Sequence, residues 1–159
     1  MATSANRQPV YSLEAVVSWA VGSIGSQALG TLDLAAATGG AAGAAYDLGF
    51  TADATNGGYV QSITIRPGAV GGVGGGGGGT NATIVRLWAN NGGAITTSAN
   101  NALIGEVAIP PITASIAAAN MGHEFPVFRA YPPGYKLYAT FTVAQTNSWM
   151  DIVVWAGKY

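Results

Sequence analysis

The chain has 159 residues and no cysteine, 49% of its residues are hydrophobic, and only 8% are charged. A chain of this length fits one domain, and without cysteine it has neither a disulfide framework nor a thiolate metal site. Its formal net charge is −1 with six Lys and Arg residues, which excludes the clustered basic surface that nucleic-acid binding needs. Because typical soluble domains carry about 25% charged residues, the shortage of charge is the strongest compositional signal.

Membrane insertion and secretion are not expected from the sequence. No stretch approaches the roughly 18 to 20 uninterrupted apolar residues of a membrane-spanning helix. The apolar run after Leu13 opens with Glu14, has only Arg7 upstream and leads to no clear cleavage site, so we expect no signal peptide. We expect a protein that is made in a cytoplasm and used there, or in a particle assembled there.

The beginning of the chain differs in pattern from the rest. Residues 1–12 are polar and aperiodic and include Pro9, which predicts a flexible N-terminal arm. Residues 13–159 are expected to form a single domain, in which the Ala- and Gly-rich run 35–45 is a loop. Alternation of apolar and polar residues predicts strands in this domain at 14–21, 46–51, 59–66, 80–89, 102–109, 125–129, 135–143 and 149–155.

The strand at 59–66 shows how the alternation assigns faces. It predicts that four residues share one face: Tyr59, Gln61, Ile63 and Ile65. About eight short strands, separated by Gly, Asn and Pro, indicate an all-β fold, an antiparallel β-sandwich of jelly-roll or immunoglobulin-like topology.

A glycine-rich segment at 68–79 interrupts this series of strands. Residues 72–77 formally match the dinucleotide-binding pattern GxGxxG. That pattern needs a helix after the glycines, whereas residues 80–89 alternate as a strand does. We therefore interpret 68–79 as a flexible loop between two strands and expect no nucleotide cofactor.

Catalytic groups are scarce. The single histidine, His123, lies in a predicted loop beside Glu124, and no spacing brings further partners to it for a triad or a metal site. No pair of carboxylates is fixed in the arrangement of a glycosidase. We expect no enzymatic activity, no cofactor and no metal.

The last predicted strand carries two tryptophans, Trp149 and Trp155, on one side of its alternation. One interpretation is a central strand with one face in the core and the other under a loop. The alternative is that both tryptophans pack against a neighbouring subunit, because aromatic residues are enriched at interface cores. A surface of small uncharged residues also favours stable association between subunits.

Several segments resemble small virion proteins of tailed phages, of the capsid decoration or cement type. They are Pro132–Tyr138, the ending Ala156–Tyr159, and the strands Thr55–Tyr59 and Ala82–Trp88. The resemblance implies a jelly-roll-like sandwich that binds the major capsid protein as a homo-oligomer, commonly a trimer, and braces the shell. The expected location is the virion, and the expected contact residues are Arg7, Tyr11, Trp149, Trp155 and Tyr159.

Other functions are compatible with the same sequence. A receptor- or carbohydrate-binding module of a tail fibre would use exposed aromatic side chains as sugar platforms, and the candidates are Trp88, Trp149 and Tyr138. A small head or tail completion subunit would instead form part of the shell or connector. A hydrolase is disfavoured, because no nucleophile and base can be named.

Overall fold

The computed structural model describes residues 14–20, 45–68, 81–111, 122–143 and 149–159. The described residues form eight β-strands and a 3₁₀ turn at Ser98–Asn100. The strands are β1 (Glu14–Ala20), β2 (Ala45–Thr51), β3 (Gly58–Gly68), β4 (Thr83–Asn90), β5 (Asn101–Ile109), β6 (His123–Tyr131), β7 (Lys136–Phe141) and β8 (Trp149–Lys158). The predicted arm at 1–12 lies outside the described residues, as do the glycine-rich loop beyond Gly68 and nearly all of the predicted loop 35–45.

The strands build two antiparallel four-stranded sheets. Sheet A has the order β1-β8-β3-β6, and sheet B has the order β2-β7-β4-β5. The first strand therefore pairs with the last, the second with the seventh, the third with the sixth, and the fourth with the fifth. This is the connectivity of a long hairpin wrapped into a sandwich, which is a jelly roll. The all-β prediction is confirmed, and the jelly-roll alternative is the one that the chain adopts.

The core lies between the two sheets and is almost entirely apolar. The predicted alternation is confirmed in β4, where Val85 and Leu87 are fully buried, and in β7, where Leu137 and Phe141 are fully buried. The edge of the Tyr46 ring packs on Phe141, with ring centroids 6.2 Å apart. Within the part of the chain that the structure describes, no helix is long and apolar enough to cross a membrane.

The predicted face of β3 is wrong because the strand contains a β-bulge. Val60 lies opposite Ala156 of β8, and Ser62 lies opposite the very next residue, Trp155, so Gln61 is an extra residue. A bulge changes which side of the sheet the following residues face. Val60 is therefore in the core together with Ile63 and Ile65, whereas Gln61 is exposed.

Strand β6 is longer than predicted and includes the histidine. His123 was expected in a loop, but it is the first residue of β6 and lies opposite Ile65 of β3. Pairing with the central strand β3 extends β6 beyond the predicted 125–129, to His123 at one end and Tyr131 at the other. The histidine is thus part of the sheet.

Candidate functional site

The outer face of sheet B carries two large aromatic residues, and both are buried. Trp88 is 2% exposed and Tyr138 is 8% exposed, and the side chains of Ala45 and Ile95 pack against them. The indole N–H of Trp88 donates a hydrogen bond to Oγ1 of Thr140, at 2.9 Å. Neither ring offers a free face to a sugar, so these two candidates for a glycan platform are wrong.

A network of asparagines holds the β4–β5 connection, residues 91–100, that places Ile95 on Trp88. The Asn90 side chain donates to the Asn101 side chain at 2.8 Å, and the Asn101 side chain donates to the carbonyl of Ile95 at 2.9 Å. The Asn100 side chain donates to the carbonyl of Ala94. Because side-chain amides replace backbone partners at a turn, this loop is held folded without a core of its own.

An ion pair lies farther along the same face. Nε of the buried Arg86 is 2.9 Å from Oε1 of Glu106, on the neighbouring edge strand. A buried guanidinium needs such a partner, because an unpaired charge out of water is costly. On the outer face of sheet B, Trp88, Tyr138 and Arg86 are therefore engaged within the molecule.

The outer face of sheet A is different, because it leaves aromatic rings exposed. Ile152 and Val154 of β8 are buried in the core. Because successive residues of a strand face opposite sides, Trp155 faces outward, and its side chain is 46% exposed. Its indole N–H donates to Oγ1 of Thr64 on β3, at 3.0 Å. This bond positions the ring over β3, where Ser62, its register partner, is buried. Trp155 is thus fixed in place and still half open to solvent.

Phe128 on β6 is the second exposed ring, and its backbone is strained. It is 65% exposed, and its φ is +44°, the one positive φ of a non-glycine residue in the described part of the chain. Val127 packs on the core, so the alternation of β6 directs its neighbour Phe128 outward. Left-handed backbone is rare for a bulky side chain and is frequent at functional positions.

The strain at Phe128 has a structural cause. Val60 of β3 pairs with Arg129 of β6, and Ser62 pairs with Pro126. Two residues of β6, Val127 and Phe128, therefore lie opposite the single residue Gln61 of β3. Such bulges occur at sheet edges and re-aim a side chain. Here the bulge lies on the edge strand of sheet A.

We call the outward side of β3, β6 and β8 around these two rings the aromatic face: Gln61, Thr64, Pro126, Phe128, Val153 and Trp155. Strands β6 and β8 flank β3, so the two aromatic residues lie on rows about 10 Å apart. None of the six residues is charged. The exposed Glu124 borders the face, because it lies on β6 opposite Thr64. A partner that buries the two aromatic rings therefore also meets one acidic side chain at the border.

The predicted contact residues are not all at this face. Trp155 belongs to it, and Trp149 begins β8 opposite Gly68. Tyr159 lies at one end of the sandwich, where its N–H donates to the carbonyl of Gly57 and its own carbonyl accepts from the Asn56 side chain. The predicted contacts Arg7 and Tyr11 lie outside the described residues.

Phe128 was not among the predicted contacts. The alternation of β6 directs it outward, but its positive φ depends on a bulge that no local pattern in β6 marks. Only the pairing of β6 with β3 reveals it.

The titratable groups form no catalytic arrangement among the residues that the structure describes. No three His, Asp or Glu side chains there are grouped as metal ligands. Nε2 of His123 and the hydroxyl of Tyr131 are buried without a hydrogen-bond partner. Hydrogen bonds from the N–H groups of Asn56 and Thr55 lower the pKa of Asp53, which therefore closes a turn as a carboxylate.

An open groove of about 430 Å³ lies where β4 begins and β5 ends. Its walls are Ala82, Thr83, Ile84, Ala108, Ile109, Pro110 and Thr142. None of these side chains titrates, so the groove offers no acid, base or anion-binding group.

The comparisons with known proteins add no family to this description. No family model matches the chain, and no curated protein or solved structure matches it either.

Proposed function

We propose that the chain is a non-enzymatic structural protein of a tailed-phage virion, which binds the outside of the capsid as an oligomer and stabilises the shell. The observation that carries this proposal is the aromatic face, where Trp155 and a strained Phe128 remain exposed on the outer side of sheet A. The jelly roll supports it as well, since this architecture recurs in viral capsid proteins.

The mechanism needs binding energy alone. A protein that binds the assembled shell and not its dissociated subunits stabilises the shell by mass action, by about 2.7 kcal/mol at a hundredfold excess over Kd. Aromatic side chains at the centre of an interface supply most of such energy. Trp155 is already held by Thr64, so little side-chain entropy is lost when a partner covers it.

The test compares phage heads that lack the protein with heads to which purified chain is added back. We expect added chain to raise the temperature at which the heads release DNA. Trp155→Ala is expected to weaken binding to heads at least 30-fold, because a central aromatic contact contributes roughly 2 kcal/mol or more.

Val143→Ala is the matched control, since Val143 is an exposed hydrophobic residue outside the aromatic face. It should bind as the unmodified chain does. Equal binding by the Trp155 variant, or no binding by the unmodified chain, would refute the proposal.

Binding of a cell-surface glycan, as in a tail-fibre module, is the second candidate. The half-exposed Trp155 ring beside Gln61 and Thr64 favours it, because sugars stack on aromatic rings and bond to neighbouring polar groups. It predicts that the chain binds host glycans, and that Trp155→Ala abolishes this binding while head stability is unaffected by the protein.

A further inference from the structure

Among the strands that the structure describes, β5 is an edge strand with no strand paired on its outer side. It is nine residues long and borders sheet B. An edge strand offers unpaired N–H and C=O groups to any incoming strand, and proteins commonly block it with proline or lysine. β5 contains no proline or lysine, and its one charged residue, Glu106, is paired with Arg86 of the same sheet.

The other sheet edges among the described strands are protected. β1 and β2, at the edges of sheets A and B, pack against each other. β6 contains Pro126, so one N–H is missing from this edge strand. β5 is therefore the edge to which a strand can be added.

A bulge at Ile104 makes the order of outward- and inward-facing residues along β5 the same in both chain directions. Leu103 lies opposite Trp88 and Gly105 lies opposite Leu87, so Ile104 is the extra residue. The register with β4 places four residues on the outer side: Asn101, Leu103, Glu106 and Ala108. The four that face the core side are Ala102, Ile104, Gly105 and Val107. Read in either direction, residues 101–108 give the same order of outward and inward positions.

We propose that β5 pairs antiparallel with β5 of a second copy of the chain, about a two-fold axis between Ile104 and Gly105. In this register Leu103 lies opposite Glu106 of the second copy, and every outward residue meets an outward residue. Registers shifted by two residues set an outward residue against an inward one, which sheet pairing disfavours. The product is a continuous eight-stranded sheet made of two copies of sheet B.

This pairing deepens the self-association in the proposed function, but it needs no capsid. It gives a two-fold oligomer, whereas the resemblance implies a trimer. A chain that binds phage heads as a monomer would overturn the pairing and leave the proposed function intact.

The first test is the mass of the purified chain, measured by light scattering at tens of micromolar. We expect about twice the 15.9 kDa of one chain. Leu103→Lys places a charge on the edge at an exposed position and is expected to give a monomer. Ala130→Lys makes the same kind of change on β6 and should remain a dimer. A monomeric or trimeric unmodified chain, or equal masses for the two variants, would refute the pairing.

The second test reads the register and does not depend on the lysine variant folding. Because the chain has no cysteine, Leu103→Cys or Ala108→Cys creates a single site for a pyrene label. In the proposed register the two copies of residue 103 are offset by three residues, about 10 Å, and those of residue 108 by seven residues, about 24 Å. Excimer fluorescence is expected from the label at 103 alone. Its absence there, or its presence at 108, would contradict the register.

Discussion

Phe128 offers a sharp test of whether backbone strain is stored at the aromatic face. Its φ of +44° places a bulky side chain in the left-handed region, which costs roughly 1–2 kcal/mol for a residue with a Cβ. Glycine avoids this cost. Both Phe128→Ala and Phe128→Gly remove the same ring, which is 65% exposed, so the loss of packing cancels between them.

In an ordinary strand, glycine is less stable than alanine by roughly 0.5–1 kcal/mol. At residue 128 we expect the reverse, with Phe128→Gly more stable than Phe128→Ala by about 1 kcal/mol. The free energy of unfolding from urea titration measures the difference. Ala130→Gly is the control, because Ala130 lies on the same strand without a positive φ, and it should destabilise the protein. A Phe128→Gly variant no more stable than Phe128→Ala would refute the assignment of strain.

The same pair of variants separates stability from function. If the strain is retained because the ring is needed at an interface, both variants lose binding to phage heads, although one of them is the more stable. Unchanged head binding by both would remove Phe128 from the proposed contact surface.

Four further predictions concern the interior. Tyr131→Phe removes a buried hydroxyl that lacks a partner, so the free energy of unfolding should rise by about 1 kcal/mol; a loss in urea titration would contradict this. Burial raises the pKa of Tyr131 above its ordinary 10.0, so the hydroxyl stays neutral in the folded protein at a pH where it ionises in the unfolded chain. The free energy of unfolding should therefore fall as the pH rises above about 10, and it should fall less steeply in Tyr131→Phe. Gly57→Ala should destabilise the protein by more than 1 kcal/mol, because φ is +86° and a Cβ would clash with the carbonyl oxygen of Tyr131; an unchanged thermal midpoint would contradict it. Thr140→Val leaves the buried N–H of Trp88 without its acceptor and is expected to cost roughly 1–3 kcal/mol in urea titration, while Thr51→Val, at an exposed strand position, should cost little.

Much of the sandwich could be predicted because period-two alternation is a local property. Val85 and Leu87 in β4, and Leu137 and Phe141 in β7, alternate with polar or amphipathic residues and face the core as predicted. Alternation in the last strand also placed Trp155 on one side together with Trp149, which made it a contact candidate. The contacts predicted at Arg7 and Tyr11 remain predictions.

The features that define the aromatic face depend on pairing between distant segments. Gln61 is bulged because β3 must match β8 on one side and β6 on the other, and both of these strands begin more than fifty residues after β3 ends. The same mismatch gives Phe128 its positive φ. Trp88 alternates as an outward residue, yet the asparagine loop brings Ile95 over it and buries it.

The sequence by itself determined an all-β sandwich, because alternation and turn residues act within a few positions of the chain. It also determined the shortage of charge on the surface. Tertiary structure alone decided which outward aromatic rings are exposed. Exposure depends on the register between strands and on which loop covers each sheet, and both are set by the packing of the whole jelly roll.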